Sequence, residues 1–110
     1  PLSEAKRIAR AEYWDAVRAD EVPDAVRFDL FDAAYNSDPV QAIKWLQRAA
    51  GATDDGILGP KTLLAARIAD PHLLSKRFNA HRLNFLADRK TWDHFGRGWA
   101  RRIASNLLGA

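Results

Sequence analysis

The sequence predicts a single, compact, all-α domain of about six helices, and three observations support this prediction. Its 110 residues are the length of one domain. No segment alternates apolar and polar residues for long enough to form a strand, and no Asn-Gly hairpin turn occurs. Start and stop signals for helices, by contrast, recur along the whole chain.

These signals place the first three helices. Ser3 is predicted to cap a first helix that runs to about Ala19, and Pro23 precedes the second helix. Asp38-Pro39 has the pattern of an N-cap followed by a proline in the first helical position. Gly51 is a typical C-cap residue, so the third helix is predicted between these two signals.

Three more helices follow in the second half of the chain. Gly59-Pro60 opens the fourth, and Asp70-Pro71 opens a long fifth helix that reaches about Lys90. The fifth helix carries apolar residues on more than one side, which is typical of a central helix. The sixth is predicted from an apolar stripe at four-residue spacing, which consists of Phe95, Trp99, Ile103 and Leu107.

Composition excludes several classes of protein. The chain is 47% hydrophobic and 28% charged and therefore resembles a folded globular protein. It has no cysteine, so disulfides, thiolate metal sites and cysteine nucleophiles are excluded. No apolar run approaches the roughly 20 residues of a membrane helix, and we expect no membrane span. The absence of methionine leads us to expect a piece of a longer product.

Charge is divided unevenly between the two halves. Residues 1–60 carry a net charge of −4 and residues 61–110 a net charge of +7. A basic half is compatible with an anionic partner such as nucleic acid or a cell envelope. It is also compatible with a solvated, arginine-rich helical surface, which is the commoner case.

Most catalytic and metal-binding patterns are absent. His72 and His81 would lie half a turn out of phase on one helix, and His94 is in another segment. We therefore predict no metal site and no cofactor. No serine lies in a G-x-S-x-G elbow, and no glycine-rich phosphate loop occurs. Glu21, beside Asp20, is the one carboxylate considered as an acid catalyst, although a solvated acidic turn is the commoner role.

The second helix combines an aromatic face with a polar stripe. Asp29, Asp32 and Asn36 share the stripe, while Phe28, Phe31 and Tyr35 form the apolar face. Acid and amide side chains beside aromatic rings suit the wall of a sugar-binding cleft. An ordinary amphipathic surface helix has the same pattern, so both interpretations stay open on the residues alone. Trp45 lies apart from the apolar face of its helix, and packing against another element is its commoner role.

A stiff turn is predicted between the third and fourth helices. Asp55 is placed to accept turn amides, and Gly56 and Gly59 permit positive φ. Ile57 or Leu58 would fill the core, and the helix that follows starts with Pro60, Lys61 and Thr62. Turn chemistry by itself indicates no function.

Four short motifs occur in the order of one known family. They are YWDAVR at 13–18, FDAAYNSDP at 31–39, KWLQ at 44–47 and DGILGPKT at 55–62. Taken together, they resemble the C-terminal part of glycoside hydrolase family 108, the N-acetylmuramidases often labelled secretion activators or phage endolysins. The last motif resembles the signature of small helical peptidoglycan-binding domains, with Asp55, Gly56, Gly59, Pro60 and Thr62 as its structural residues. The closing GWARR at 98–102 is also similar to that family.

The resemblance implies a lysozyme-like fold and a site. It implies that residues 1–22 belong to the end of the catalytic region and that residues 23–110 form the peptidoglycan-binding domain. Asp32, Tyr35, Asn36 and Ser37 are the implied substrate-binding residues. Asp38 stands where the family usually has glycine, a change that a helix cap tolerates. The implied partners are peptidoglycan glycan strands at the bacterial cell wall, whether periplasmic, secreted or phage-encoded, and the N-terminal half of the same protein.

The catalytic motif of the family is absent. Its glutamate lies in Glu-Gly-Gly, which does not occur here, and Glu4, Glu12 and Glu21 do not match it. We therefore expect no catalytic residue in this chain, and no hydrolysis by the chain alone. Two alternatives from other classes stay open: a small basic helical module that binds nucleic acid, which we do not favour, and a purely structural, partner-binding fragment.

Overall fold

Residues 2–109 of the chain are described by a computed structural model, and they form six α-helices and one short 3₁₀ turn with no strand among them. The predicted all-α class and helix number are confirmed. The helices are α1 (Leu2–Ala16), α2 (Asp24–Asn36), α3 (Pro39–Ala50), α4 (Pro60–Ile68), α5 (Pro71–Ala87) and α6 (Trp92–Gly109), and the 3₁₀ turn spans Ala19–Glu21.

The caps predicted in the middle of the chain are confirmed. The side chain of Asp38 accepts a hydrogen bond from the Gln41 amide at the start of α3. Asp70 does the same for the Leu73 amide at the start of α5. Gly51 ends α3 with a φ of 75°, the left-handed conformation that favours glycine.

The predicted limits of two helices are wrong. Helix α1 already begins at Leu2, so Ser3 lies inside it and is not its cap. It ends at Ala16 and not at Ala19, because Arg18 takes a left-handed backbone with a φ of 48°. Helix α5 ends at Ala87, three residues before the predicted end at Lys90.

The core is built around α5, which packs against α2, α3 and α6. Trp45 on α3 is fully buried, with its ring centroid 5.3 Å from that of Phe85 and 6.3 Å from that of Phe78. Packing is therefore the role of Trp45, as expected. The apolar stripe of α6 is buried only at Ile103, while Phe95 and Leu107 are half exposed.

Helix α1 differs from the others because none of its described residues is fully buried. Only its last turns reach the core, where Tyr13 and Trp14 pack against it. Leu2 and Ile8 are exposed on the remainder of the helix. None of the helices formed by residues 2–109 has both the length and the apolar character that a membrane crossing requires.

Candidate functional site

The most deeply buried charged side chains belong to the polar stripe of α2 and to the residues that it contacts. Asp29 and Asp32 are both buried, at 4% and 5% exposure, whereas Phe28 on the apolar face is 58% exposed. Asn36 at the end of the stripe is exposed, but the two aspartates are buried together with apolar residues of the same helix such as Leu30. The reason is that the stripe meets polar side chains from α5 and α6.

Asp32 accepts hydrogen bonds from three helices. Its Oδ2 accepts from Arg82 Nη1 at 2.9 Å and from Asn106 Nδ2 at 3.0 Å. Its Oδ1 accepts from Arg102 Nη1 at 2.7 Å and from Asn36 Nδ2 at 3.0 Å. Burial alone would raise the pKa of Asp32, but the hydrogen bonds from Asn106 and Arg82 hold it below its ordinary value. Asp32 is therefore an ionised hub that joins α2, α5 and α6.

Asp29 lies one turn earlier and has a different environment. Its Oδ2 accepts from Ser75 Oγ at 3.1 Å and from Asn79 Nδ2 at 3.2 Å. Burial raises the pKa of Asp29, and these two neutral hydrogen bonds only partly oppose the shift. Two neighbouring carboxylates on one helix thus have pKa values displaced in opposite directions.

A cleft opens where α2 ends. It has a volume of about 420 Å³, in the range of small-ligand sites, and lies between the α2–α3 junction and the α5–α6 junction. Side chains of mixed chemistry line it: Asn36, Ser37, Asp38, Gln41, Phe85, Leu86, Arg89, Thr91 and Trp99. Hydroxyl and amide groups thus face aromatic rings and one guanidinium across the same space.

The predicted substrate-binding residues are only partly brought together. Asn36 and Ser37 line the cleft, and Asn36 is held there by its bond to Asp32. Asp32 itself is buried, and Tyr35 points away toward Tyr13, with ring centroids 5.4 Å apart. The sequence did not indicate Phe85, Arg89 or Trp99 as site residues. Trp99 was included only in the apolar stripe of the sixth helix, and no sequence signal distinguishes Arg89 from other arginines.

The turn after α3 is organised by Gln47, which lies in the KWLQ motif but for which the sequence indicated no role. Gln47 is fully buried, and its Nε2 donates to Asp55 Oδ1 at 2.8 Å and to Thr62 Oγ1 at 3.1 Å. Its Oε1 accepts from the Gly56 amide at 2.9 Å. The Ile57 amide also donates to Asp55, as expected. The hydrogen bond from Ile57, together with the smaller effect of the one from Gln47, lowers the pKa of Asp55. The sequence signal for the buried role of Gln47 was its position among the apolar residues of one face of α3.

Two details of the turn correct the sequence analysis. Gly56 has a φ of 77°, but Gly59 has a φ of −111°, so the expected positive φ at Gly59 is wrong. Gly59 instead provides the extended residue before Pro60. Leu58 fills the core, while Ile57 is 70% exposed.

The remaining catalytic candidates have ordinary structural surroundings. Glu21 is exposed and paired with Arg18, and the hydrogen bond from Arg18 lowers its pKa, which is the wrong direction for a general acid. No group of three or more His, Asp and Glu side chains within residues 2–109 is arranged to hold a metal ion. Arg82 and Arg102, two of the basic residues in the +7 half, are already paired with Asp32.

Comparisons with known proteins bear on these features. Residues 41–104 match the sequence model of a family described as Predicted Peptidoglycan domain, and residues 1–37 match that of Glycosyl hydrolase 108. A solved structure titled "Structure of Brucella abortus SagA" is similar with a TM-score of 0.90 and 32% identity. The similarity covers 98% of this chain and 62% of that one, so this chain spans less than two-thirds of the SagA chain. No curated protein matches the sequence.

These matches confirm the resemblance that the four motifs indicated. The junction between the two matched segments falls at residues 38–40, where α2 ends and the cleft begins. The alternative of a nucleic-acid-binding module is not favoured, because one matched family is described as a peptidoglycan domain and the other as a glycosyl hydrolase.

Proposed function

This chain belongs to the Predicted Peptidoglycan domain family, and from that membership we propose that it is the C-terminal part of a peptidoglycan hydrolase of the glycosyl hydrolase 108 type. Its role would be to bind glycan strands and to shape one wall of the cleft in which they are cut. The observation that carries this proposal is the convergence of Asn36, Ser37 and Trp99 on one cleft.

The lining of the cleft suits a sugar. Trp99 is part of an aromatic cluster, with ring centroids 5.8 Å from Phe95 and 6.1 Å from Trp92, and it lines the cleft. Aromatic surface is favourable for the apolar face of a pyranose, and hydroxyl and amide groups bind its polar edge. Asn36 Nδ2 is occupied by Asp32, which leaves Asn36 Oδ1 as the acceptor for a sugar hydroxyl or acetamido N–H.

Asp32 would act through Asn36 in this arrangement. Its four hydrogen bonds fix the end of α2 and the rotamer of Asn36 at the rim of the cleft. Direct contact of Asp32 or Tyr35 with substrate, as the resemblance implies, stays a prediction. Tyr35 would meet glycan only if the strand extended beyond the cleft toward Tyr13.

We further propose that the acid catalyst comes from residues outside this chain. Glu21 is paired with Arg18, and its lowered pKa keeps it ionised. A general acid has to be protonated and within hydrogen-bond reach of the glycosidic oxygen. The SagA chain has further residues beyond the matched part, which is consistent with a segment outside this chain that supplies the acid.

The partner that we propose for α1 and the outer face of α2 is that same segment, the remainder of the hydrolase region. Phe31 joins two neighbours in an aromatic row, with ring centroids 5.4 Å from Trp14 and 6.0 Å from Tyr35. Phe28, at the end of the row, is mostly exposed. The absence of buried residues among those described in α1 leaves this helix open to such a partner.

Binding to purified sacculi tests the proposed function. Trp99→Ala should weaken binding by about tenfold, and Asn36→Ala by up to about tenfold, since one hydrogen bond in a site contributes ~0.5–1.5 kcal/mol. The control is Phe28→Ala, an exposed aromatic outside this cleft. Cosedimentation at several protein concentrations, with Tm recorded for each variant, gives the affinities.

Two results would contradict the proposal. Equal binding by the parent and Trp99→Ala would remove the cleft as the glycan site. Loss of binding in Phe28→Ala alone would move the site to the groove between α2 and α6 that Phe28 lines with Ser105 and Asn106.

A further inference from the structure

Arg89 is held at the rim of the cleft by an aromatic stack. Its Cζ atom lies 5.1 Å from the centroid of the Phe85 ring. Phe85 in turn packs edge to face against the fully buried Trp45, with centroids 5.3 Å apart. The guanidinium therefore rests on a ring that is itself fixed to the core. Such a cation–π contact restricts the side chain while it leaves the N–H donors available.

Arg89 differs from Arg82 and Arg102, the two arginines of the Asp32 cluster, in its lack of an acidic partner. Arg82 and Arg102 are committed to Asp32, but Arg89 forms no ion pair with any acid among residues 2–109. One carboxylate, Asp38, lines the same cleft, and its Oδ2 accepts from the Gln41 amide as the cap of α3. The cleft thus contains one fixed, uncompensated cation and one acid occupied as a helix cap.

A planar guanidinium with free donors binds carboxylates in a bidentate manner. We propose that Arg89 forms an anion subsite that binds a carboxylate of peptidoglycan beside the sugar held at Trp99. This inference rests on the proposed function, because it concerns the same cleft. Peptidoglycan offers carboxylates of two sources: the lactyl group of muramic acid where the stem peptide has been removed, and the stem peptide itself.

The residues that line the cleft come from different elements, which suits this division of tasks. Trp99 comes from α6 and Arg89 from the turn after α5, and Ser37 and Gln41 lie on the α2–α3 side. A sugar at Trp99 would therefore have its substituents directed toward either the hydroxyl and amide groups or the guanidinium. Uncharged glycan would use only the former contacts.

Three soluble tetrasaccharide probes separate these contributions. The first is chitotetraose, which has no carboxylate. The second is a stem-free tetrasaccharide of alternating N-acetylglucosamine and N-acetylmuramic acid, which has lactyl carboxylates. The third is the same tetrasaccharide with its tetrapeptide stems, in which the lactyl groups are amidated and only the stem carboxylates remain. Each is titrated by calorimetry into the 110-residue chain at low and high salt.

Arg89→Gln should weaken binding of at least one carboxylate probe about tenfold and leave chitotetraose unchanged. The probe that loses affinity identifies the source of the carboxylate, and the loss should shrink at high salt. Arg77→Gln is the matched control, since it removes another exposed positive charge, on α5 and away from the cleft. Asp38→Asn keeps a capping residue but removes the opposing charge, and it should tighten binding of the same probe.

Equal affinities of the parent and Arg89→Gln for all three probes would overturn the inference. So would equal losses in Arg89→Gln and Arg77→Gln, which would indicate general charge attraction. Failure of the parent chain to bind sacculi or any probe would instead contradict the proposed function itself. The two failures are therefore distinguishable.

Discussion

Two buried polar clusters hold this domain together, and they differ in charge and in reach. The cluster around Gln47 is neutral at its centre and connects residues 8 to 15 positions apart. The cluster around Asp32 is ionic and connects residues 50 to 74 positions apart. The first stiffens one turn, whereas the second determines how α2, α5 and α6 meet beneath the cleft.

The comparison shows that similar burial can have different consequences for function. The Gln47 amide uses its donors and its acceptor within the turn, so that cluster is complete without any ligand. In the Asp32 cluster, Arg82 Nε is buried without a hydrogen-bond partner among residues 2–109, and so is Asn79 Oδ1 beside the neighbouring Asp29. Asn36, at the edge of that cluster, also reaches the rim of the cleft. The ionic cluster is thus both less complete and closer to the proposed site.

The largest effect that separates the clusters is expected for Asp32→Ala. It leaves the guanidinium of Arg82, which is 1% exposed, without its counter-ion. Breaking a buried ion pair by removing one partner costs about 3–5 kcal/mol. Urea unfolding should show this loss.

The matched control for Asp32→Ala is Asp54→Ala, which breaks the exposed pair with Arg48 beside the Gln47 turn. Solvent screens an exposed pair, so the free energy of unfolding should change little. A loss below about 1 kcal/mol for Asp32→Ala would mean that the pair with Arg82 is not intact in solution.

The two clusters also show how far the sequence could predict the structure. The caps at Asp38 and Asp70 follow from residues within one helical turn, so local signals were sufficient for them. The environment of Asp32 depends on Arg82, which lies 50 positions away. A polar stripe at helical spacing has the same pattern whether it faces water or a buried guanidinium, so the sequence could not decide between them.

The candidate site was predictable to a similar extent. The four motifs placed Asn36 and Ser37 at the cleft, because a resemblance carries information about distant contacts. Arg89 and Trp99 enter the cleft only through the packing of α5 and α6 against the end of α2. No local pattern in the sequence reports that packing.

A moderate effect is expected within the Gln47 turn for Gly56→Ala. A Cβ there would lie 2.9 Å from Val40 Cγ1, and the φ of 77° is unfavourable for alanine. The left-handed backbone costs about 1–2 kcal/mol for a residue with a Cβ. Thermal unfolding should show a lower Tm.

Gly59→Ala serves as the comparison, because its φ is −111° and a Cβ there meets no atom within 4 Å. We expect a change within about 0.5 kcal/mol, since the gain in unfolded-state entropy offsets a slightly poorer cap. Similar losses for both variants would show that the turn depends on glycine at both positions, as the sequence first suggested.

The smallest effect, and the one that depends on pH, is expected for Asp29→Asn. Burial raises the pKa of Asp29 in the folded chain, so its ionisation opposes folding as the pH rises through that folded pKa. Asp32 has the opposite sign: its lowered pKa gives stability above the ordinary value of about 4, which is lost as the pH falls through the folded pKa. Asparagine at position 29 removes only the contribution of Asp29, and its one carbonyl oxygen can replace Oδ2 as the acceptor for Ser75 and Asn79.

Asp29→Asn should therefore melt at a higher temperature than the parent at neutral pH, and this advantage should shrink as the pH is lowered toward 4. Tm measured from pH 4 to pH 8 tests this sign, with Asp54→Asn as an exposed control. A variant that is less stable at neutral pH than at pH 4, relative to the parent, would show that the surroundings of Asp29 favour its ionised form, as those of Asp32 do.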